Sequence, residues 1–185
     1  MIWRNTKDSY GLVTIGLHWI IAIAIAVLLP LGLWMTGLDY YDPWYRKGPD
    51  LHRAIGILVG TMVLIRLSWR VGNTSPAPLQ APGWESNAAQ AVHRLLYLLP
   101  LLLVLSGYLI STADGRSVDV FGWFEIPATV QGIAGQEDIA GEVHFILAMI
   151  LLAVVVLHAG AALRHHFILK DATLRRILVP GNKET

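Results

Sequence analysis

Seven histidines are the residues of this chain with the clearest capacity for chemistry. Four of them occur within or at the ends of long apolar stretches, namely His18, His52, His144 and His158. An ionisable side chain is costly in such surroundings and therefore suggests a function. A neutral imidazole can ligate a metal such as haem iron, relay a proton or form a hydrogen bond between helices. The spacing of the four histidines separates these possibilities.

His144 and His158 are fourteen residues apart in one apolar stretch. In a helix they fall about 40° short of four full turns, so both face one side, about 21 Å apart along the axis. His18 matches the depth of His158, and His52 matches the depth of His144. We name His18 and His158 the inner pair, and His52 and His144 the outer pair. Two depth-matched pairs predict two stacked haems, each with its iron saturated by two imidazoles for electron transfer.

The outer pair is the better determined, because no other histidine lies at its level. The inner level also offers His93, His165 and His166. We interpret His93, which has Arg94 beside it, as an interfacial residue or as a contact for a haem propionate or a quinone. His165 and His166 are interpreted as a solvated or headgroup-level cluster. The alternative for the ligand candidates is hydrogen bonding to serine, threonine or backbone groups between helices.

Four apolar stretches are long enough to position these histidines, since about 20 apolar residues cross a hydrocarbon core. The predicted spans are residues 12–36, 52–69, 91–111 and 143–163. Hydrophobic residues make up 55% of the chain and charged residues 15%, so the bilayer is the expected solvent. We predict an all-α integral membrane four-helix bundle, a single domain over residues 1–185. The first span is expected to be retained rather than cleaved as a signal peptide.

The connections between the spans are less regular. The second and third spans are joined by a segment rich in proline and glycine, which predicts a solvated link. Residues 111–142 separate the third and fourth spans, and we predict a loop there with a short interfacial helix.

The distribution of charge predicts the orientation, because lysine and arginine are retained on the cytoplasmic side. One set of span ends carries ten of the fourteen basic residues, and the other set carries nine of the thirteen acids. Both termini and the inner pair are therefore predicted on the cytoplasmic side of the membrane. The ten basic residues are Arg4, Lys7, Arg66, Arg70, Arg94, Arg164, Lys170, Arg175, Arg176 and Lys183.

Composition also excludes several classes of function. The chain has no cysteine, which excludes disulfides, iron–sulfur clusters and covalently attached haem. The net charge of +1 predicts no nucleic-acid partner.

The chain resembles the bacterial cytochrome b561 family of the inner membrane over nearly its whole length, a family related to the cytochrome b subunits of nickel–iron hydrogenases. The matching segments are LHW at 17–19, LHRAIGILVG at 51–60, AVHRLLYLLPLLLVLSGYL at 91–109, EVHFILA at 142–148 and LHAGAALRHHFILKDATLRRIL at 157–178. The resemblance implies two b haems, one on His18 and His158 and the other on His52 and His144. It also implies quinone-linked electron transfer, and some members oxidise superoxide while reducing ubiquinone.

A cluster of basic residues around His52 indicates which anionic groups could bind near the outer pair. Arg46, Lys47 and Arg53 lie within eight residues on a side that is otherwise acidic. They are expected to pair with haem propionates, since buried carboxylates need partners. Residual positive potential would also attract a small anion such as superoxide.

The sequence thus predicts a di-haem membrane protein that links quinone to a redox partner on the periplasmic side, with superoxide as a candidate. The first alternative is an electron-conducting anchor subunit of a hydrogenase or another dehydrogenase. The second is a haem-free transporter or scaffold whose histidines relay protons.

Overall fold

The structure is a computed structural model that describes residues 3–77, 79 and 82–180. Within these residues, four helices are long and apolar enough to cross a membrane. They are α1 (Leu12–Met35), α2 (Lys47–Val71), α3 (Gly83–Thr112) and α4 (Gln136–Arg164). This confirms the predicted all-α bundle. The orientation stays a prediction from charge, and Lys183, one of the ten basic residues behind it, lies outside the described residues.

Three helices begin earlier than the predicted spans, α2 by five residues, α3 by eight and α4 by seven. The sequence delimited only the apolar part of each helix. The additional turns contain acidic side chains, Glu85 in the first turn of α3 and both Glu137 and Asp138 in the first turn of α4. Acids are favourable there because of the partial positive charge at a helix N-terminus. The helices therefore extend past their apolar segments into polar ends.

A small aliphatic core lies between the levels of the two histidine pairs. Neighbouring helices pack α1 on α2, α2 on α3 and α3 on α4. Leu151, which is 2% exposed, stands seven residues from both His144 and His158 on α4. The core separates the two histidine sites and consists of Ile21, Ile25, Val59, Val63, Leu99, Leu151 and Val154.

The connection between α3 and α4 corrects one prediction. An antiparallel hairpin of β1 (Val118–Val120) and β2 (Phe124–Ile126) takes the place of the expected interfacial helix. Its turn contains Phe121 and Gly122, both with positive φ, and the Gly122 amide donates to the Asp119 carboxylate at 3.0 Å. Strand β1 packs against α2 and α3, so the hairpin covers the outer end of the bundle.

After α4 the chain passes through a π-helical turn (His165–Leu169) and the short helix α5 (Thr173–Leu178). The segment is tied to the bundle by the Trp19 indole, which donates to the Ile177 carbonyl at 2.9 Å. His165 is hydrogen-bonded to Asp171. Partial burial acts to raise the pKa of Asp171, but the hydrogen bonds from His165 and Thr173 outweigh it, and that pKa is lowered. His165 therefore has a structural partner at the inner end of the bundle.

Candidate haem sites

The structure brings together both histidine pairs that the sequence predicted. In the outer pair, the ring centroids of His52 on α2 and His144 on α4 are 6.1 Å apart. In the inner pair, the centroids of His18 on α1 and His158 on α4 are 6.3 Å apart. A metal–imidazole bond is about 2 Å long and the bonding nitrogen lies about 1.1 Å from its ring centroid, so two rings on opposite sides of one metal have centroids about 6 Å apart. Each pair has the spacing that one shared iron requires.

Two of the rings have an Nδ1 atom that no described protein group contacts by a hydrogen bond. The Nδ1 atoms of His18 and His52 are buried and have no hydrogen-bond partner in the part of the chain that the structure describes. A buried polar nitrogen without a partner costs free energy. The alternative interpretation is that the histidines form hydrogen bonds between helices. The Nδ1 atoms of these two histidines form no such bond with the described residues. Neither Nδ1 atom therefore ties its ring to a neighbouring helix, and both imidazoles are available for ligation.

A cavity of about 500 Å³ lies between the four helices at the outer level. His52 and His144 line it together with Gly56, Pro100 and Gly107. The volume falls in the range of small-molecule and cofactor sites, which are typically apolar with a few placed polar groups. Helix α3 continues through Pro100, so this proline forms part of the cavity wall rather than an end of the helix. The site fits a flat macrocycle held between the two imidazoles.

Two glycines let neighbouring helices come close to the outer rings. A Cβ atom on Gly32 would lie 3.0 Å from Cε1 of His52, and one on Gly107 would lie 3.3 Å from Cε1 of His144. Neither glycine stood out in the sequence, because the close approach is made by a different helix from the one that carries the histidine. A side chain at either position would have to displace an imidazole.

Gly56 and Gly60 are four residues apart on α2, the spacing of a small-residue packing face, but they have different surroundings. A Cβ atom on Gly60 would lie 2.8 Å from Val104 of α3, so Gly60 serves helix packing. Gly56 lines the cavity, and no described atom lies within 4 Å of its Cβ position. Gly56 therefore leaves space at the outer site.

Among the described residues, His144 differs from the other three predicted ligands in having a side-chain hydrogen-bond partner. The Oγ atom of Ser106 on α3 lies 3.0 Å from its Nδ1. Ser106 is only 5% exposed. Hydrogen bonds of this kind orient metal-ligating histidines. The contact could not be predicted from the sequence, because the two residues are 38 positions apart.

The inner site contains a third histidine. The ring centroid of His93 on α3 lies 5.4 Å from that of His158. Because α3 begins at Gly83, His93 is ten residues into the helix, just beyond its polar first turns. The charge of Arg66 on α2 acts on His93 and on both members of the inner pair. The position of Arg66 in the sequence indicated only the orientation of the bundle.

The basic cluster around His52 is dispersed. Arg53 lines the outer cavity and forms an ion pair with Asp50. The Lys47 ammonium lies 6.0 Å from the ring centroid of Trp44, and Arg46 is exposed immediately before α2. The three side chains therefore do not act as one patch on the cavity.

Acidic residues share the outer cavity with Arg53. Glu137, Asp138 and Glu142 from the beginning of α4 belong to its lining. The positive potential expected from the sequence is therefore offset at this site by three carboxylates.

Comparison with known proteins adds an independent observation to this geometry. Residues 9–180 match the family model described as prokaryotic cytochrome b561. A protein of Escherichia coli K12 named cytochrome b561 homolog 2 is 47% identical over 179 residues, which cover 96% of this chain and 95% of that relative. The chain belongs to the prokaryotic cytochrome b561 family. As a cytochrome b561 family member it is a bacterial membrane electron-transfer protein that binds haem b.

More distant relatives of this cytochrome b561 family member align over similar lengths. A cytochrome b562 of Cereibacter sphaeroides is 30% identical, over 94% of this chain and 98% of the relative. A protein of Yersinia pestis named as a probable superoxide oxidase is 28% identical, over 92% of this chain and 96% of the relative. The family resemblance inferred from the sequence is thus confirmed.

Proposed function

We propose that this protein binds two haem b groups and transfers electrons between ubiquinone in the bacterial inner membrane and a redox partner on the periplasmic side. His18 and His158 would hold one haem, and His52 and His144 the other. The observation that supports this most directly is the nearly equal spacing of the two pairs, 6.3 and 6.1 Å between ring centroids. A haem bound by two imidazoles supplies a reversible one-electron couple with no open coordination position.

The protein's own contribution is to fix and insulate the two sites. Helix α4 carries one histidine of each pair, about 21 Å apart at the rise of an α-helix. The aliphatic core around Leu151 lies between them, and its side chains offer no polar group that could hold a water molecule. Both effects favour a defined distance and a dry path between the sites. The assignment of the inner pair to the cytoplasmic side rests on the ten basic residues at that end.

A quinone contact is proposed at the inner site. His93 lies beside His158, and Arg94 is exposed on the same helix. An imidazole and a guanidinium can both donate hydrogen bonds to a quinone oxygen or a haem propionate. These two residues remain the candidates for that contact.

The purified protein should contain two haem b per chain and show b-type absorption bands on reduction. Ubiquinol should reduce the haems, and ubiquinone should reoxidise them, when absorbance is followed in detergent or in liposomes. Protein that folds without haem would contradict the proposal and would favour the proton-relay alternative. Protein that binds two haems but does not exchange electrons with either form of the quinone would retain the haem assignment and remove the quinone.

Superoxide is the candidate for the periplasmic partner, and the name of the Yersinia pestis relative favours it. Two superoxide ions would each give up one electron and leave as dioxygen, and the two electrons with two protons would convert ubiquinone to ubiquinol. Arg53 is the one arginine or lysine among the described lining residues of the outer cavity. It is therefore the side chain best placed to attract an anion there.

Arg53→Gln should slow the reduction of the protein by superoxide several-fold at low ionic strength, because the substitution removes the attractive charge at the cavity. The effect should shrink as salt is added. Stopped-flow absorbance of the haems measures the rate, and Lys47→Gln is the matched control, since that ammonium lies over Trp44. A rate that is indifferent to Arg53, or that rises with salt because the three carboxylates dominate, would contradict anion attraction.

A further inference from the structure

The two histidines of the outer pair are held differently. Within the described residues, Nδ1 of His52 has no hydrogen-bond partner, whereas Nδ1 of His144 lies 3.0 Å from the hydroxyl of Ser106. Ser106 is almost fully buried, so bulk water does not compete for this contact. The asymmetry raises the question of which partner donates the hydrogen.

The surroundings of Ser106 favour one direction of the hydrogen bond. Its Oγ atom lies 2.9 Å from the Leu102 carbonyl and 3.1 Å from the Leu103 carbonyl, and a carbonyl oxygen only accepts. A hydroxyl has a single hydrogen, and either carbonyl can accept it within α3. The Ser106 oxygen is then able to accept a hydrogen from His144. In that arrangement the proton of the neutral imidazole is on Nδ1, and the lone pair is on Nε2.

We propose that Ser106 is a positioning residue of the outer haem site, which fixes the tautomer and the ring orientation of His144 for ligation through Nε2. The inference rests on the ligation by His144 proposed above. Gly107 makes the arrangement sterically possible, because a Cβ atom there would lie 3.3 Å from Cε1 of His144. A hydrogen bond accepted from a ligating imidazole also increases its basicity as a ligand.

The test is the reduction potential of each haem in the full-length Ser106→Ala protein. A stronger imidazole donor favours oxidised iron, so loss of the hydrogen bond should raise the potential of the outer haem and leave that of the inner haem unchanged. The affinity for the outer haem should fall by about 10- to 100-fold. Spectroelectrochemical titration and the electron paramagnetic resonance spectrum of the oxidised haems give the readouts.

Two further variants make the comparison specific. Thr61 on α2 donates its hydroxyl to the Ile57 carbonyl at 3.0 Å, and it is not among the described residues that line the outer cavity. Thr61→Ala therefore removes a similar helix hydrogen bond away from the proposed haem and should leave both potentials unchanged. Ser106→Thr keeps the hydroxyl and should restore the native outer potential.

Each outcome bears on the proposal. An unchanged outer potential in Ser106→Ala, or an equal shift in Thr61→Ala, would overturn it. Complete loss of the outer haem in Ser106→Ala would support it if Ser106→Thr restores the haem and overturn it if Ser106→Thr does not. Failure of the underlying ligation is recognised separately, because His144→Ala would then retain both haems.

Discussion

Alanine in place of His144 should reduce the haem content from two per chain to one, and His52→Ala should have the same effect. The 6.1 Å spacing of these rings suits a single iron, and loss of either ring leaves that iron with one protein ligand. The chain has no cysteine that could hold the porphyrin covalently. Extraction of haem from purified protein, with the remaining haem resolved by its spectrum, measures the effect.

The same experiment can be done at the inner pair. His18→Ala and His158→Ala should each remove the inner haem and retain the outer one. His93→Ala is the most stringent control, because His93 lies even closer to His158 than His18 does, 5.4 Å against 6.3 Å between ring centroids. It should retain both haems. Loss of the inner haem in His93→Ala, with retention in His18→Ala, would replace His18 by His93 as the ligand. Two haems in His144→Ala would refute the outer assignment.

The bundle itself follows from the sequence for a simple physical reason. In a membrane, the backbone of each apolar stretch has to satisfy its hydrogen bonds internally, so a long apolar stretch determines a helix almost regardless of context. The helix ends do not follow in the same way. Glu85 and Glu137 lie in helical turns that hydropathy excluded, because their stability comes from the helix terminus and not from apolarity.

The hairpin between α3 and α4 was the main error in the predicted fold. Its strands are three residues each, too short for alternation of polar and apolar residues to be recognised. The usable signal was the turn, in which Gly122 takes a positive φ and Asp119 accepts its amide hydrogen. Glycine and aspartate at such positions are typical of hairpin connections. A weak local signal of this kind is easily missed in a long polar segment.

The histidine pairs could be found from the sequence because depth along a helix is counted in residues. The residues around them could not, because they depend on how helices rotate against one another. Gly32 approaches His52 from α1, and Ser106 approaches His144 from α3. Neither contact is encoded by spacing within a single helix. For the same reason the sequence could not show that Glu142 and its acidic neighbours share a cavity with Arg53.

The space inside the outer cavity can be tested without changing any proposed ligand. Gly56 lines the cavity, and a side chain there would meet no described protein atom within 4 Å of its Cβ. Leucine at this position would therefore occupy the space assigned to the outer haem, without a clash that would unfold the bundle. Gly141 has the same properties on α4.

Gly56→Leu and Gly141→Leu should each lose most of the outer haem and keep the inner one, although all four histidines remain. Haem content and the spectrum of the remaining haem are the measurements, and the melting temperature of the protein checks that the bundle is intact. Gly83→Leu is the control, since Gly83 is exposed at the beginning of α3 with open space at its Cβ position. Two haems with native potentials in Gly56→Leu would mean that the macrocycle does not occupy this cavity. The outer haem would then have to lie on a different side of α2 from the one that Gly56 faces.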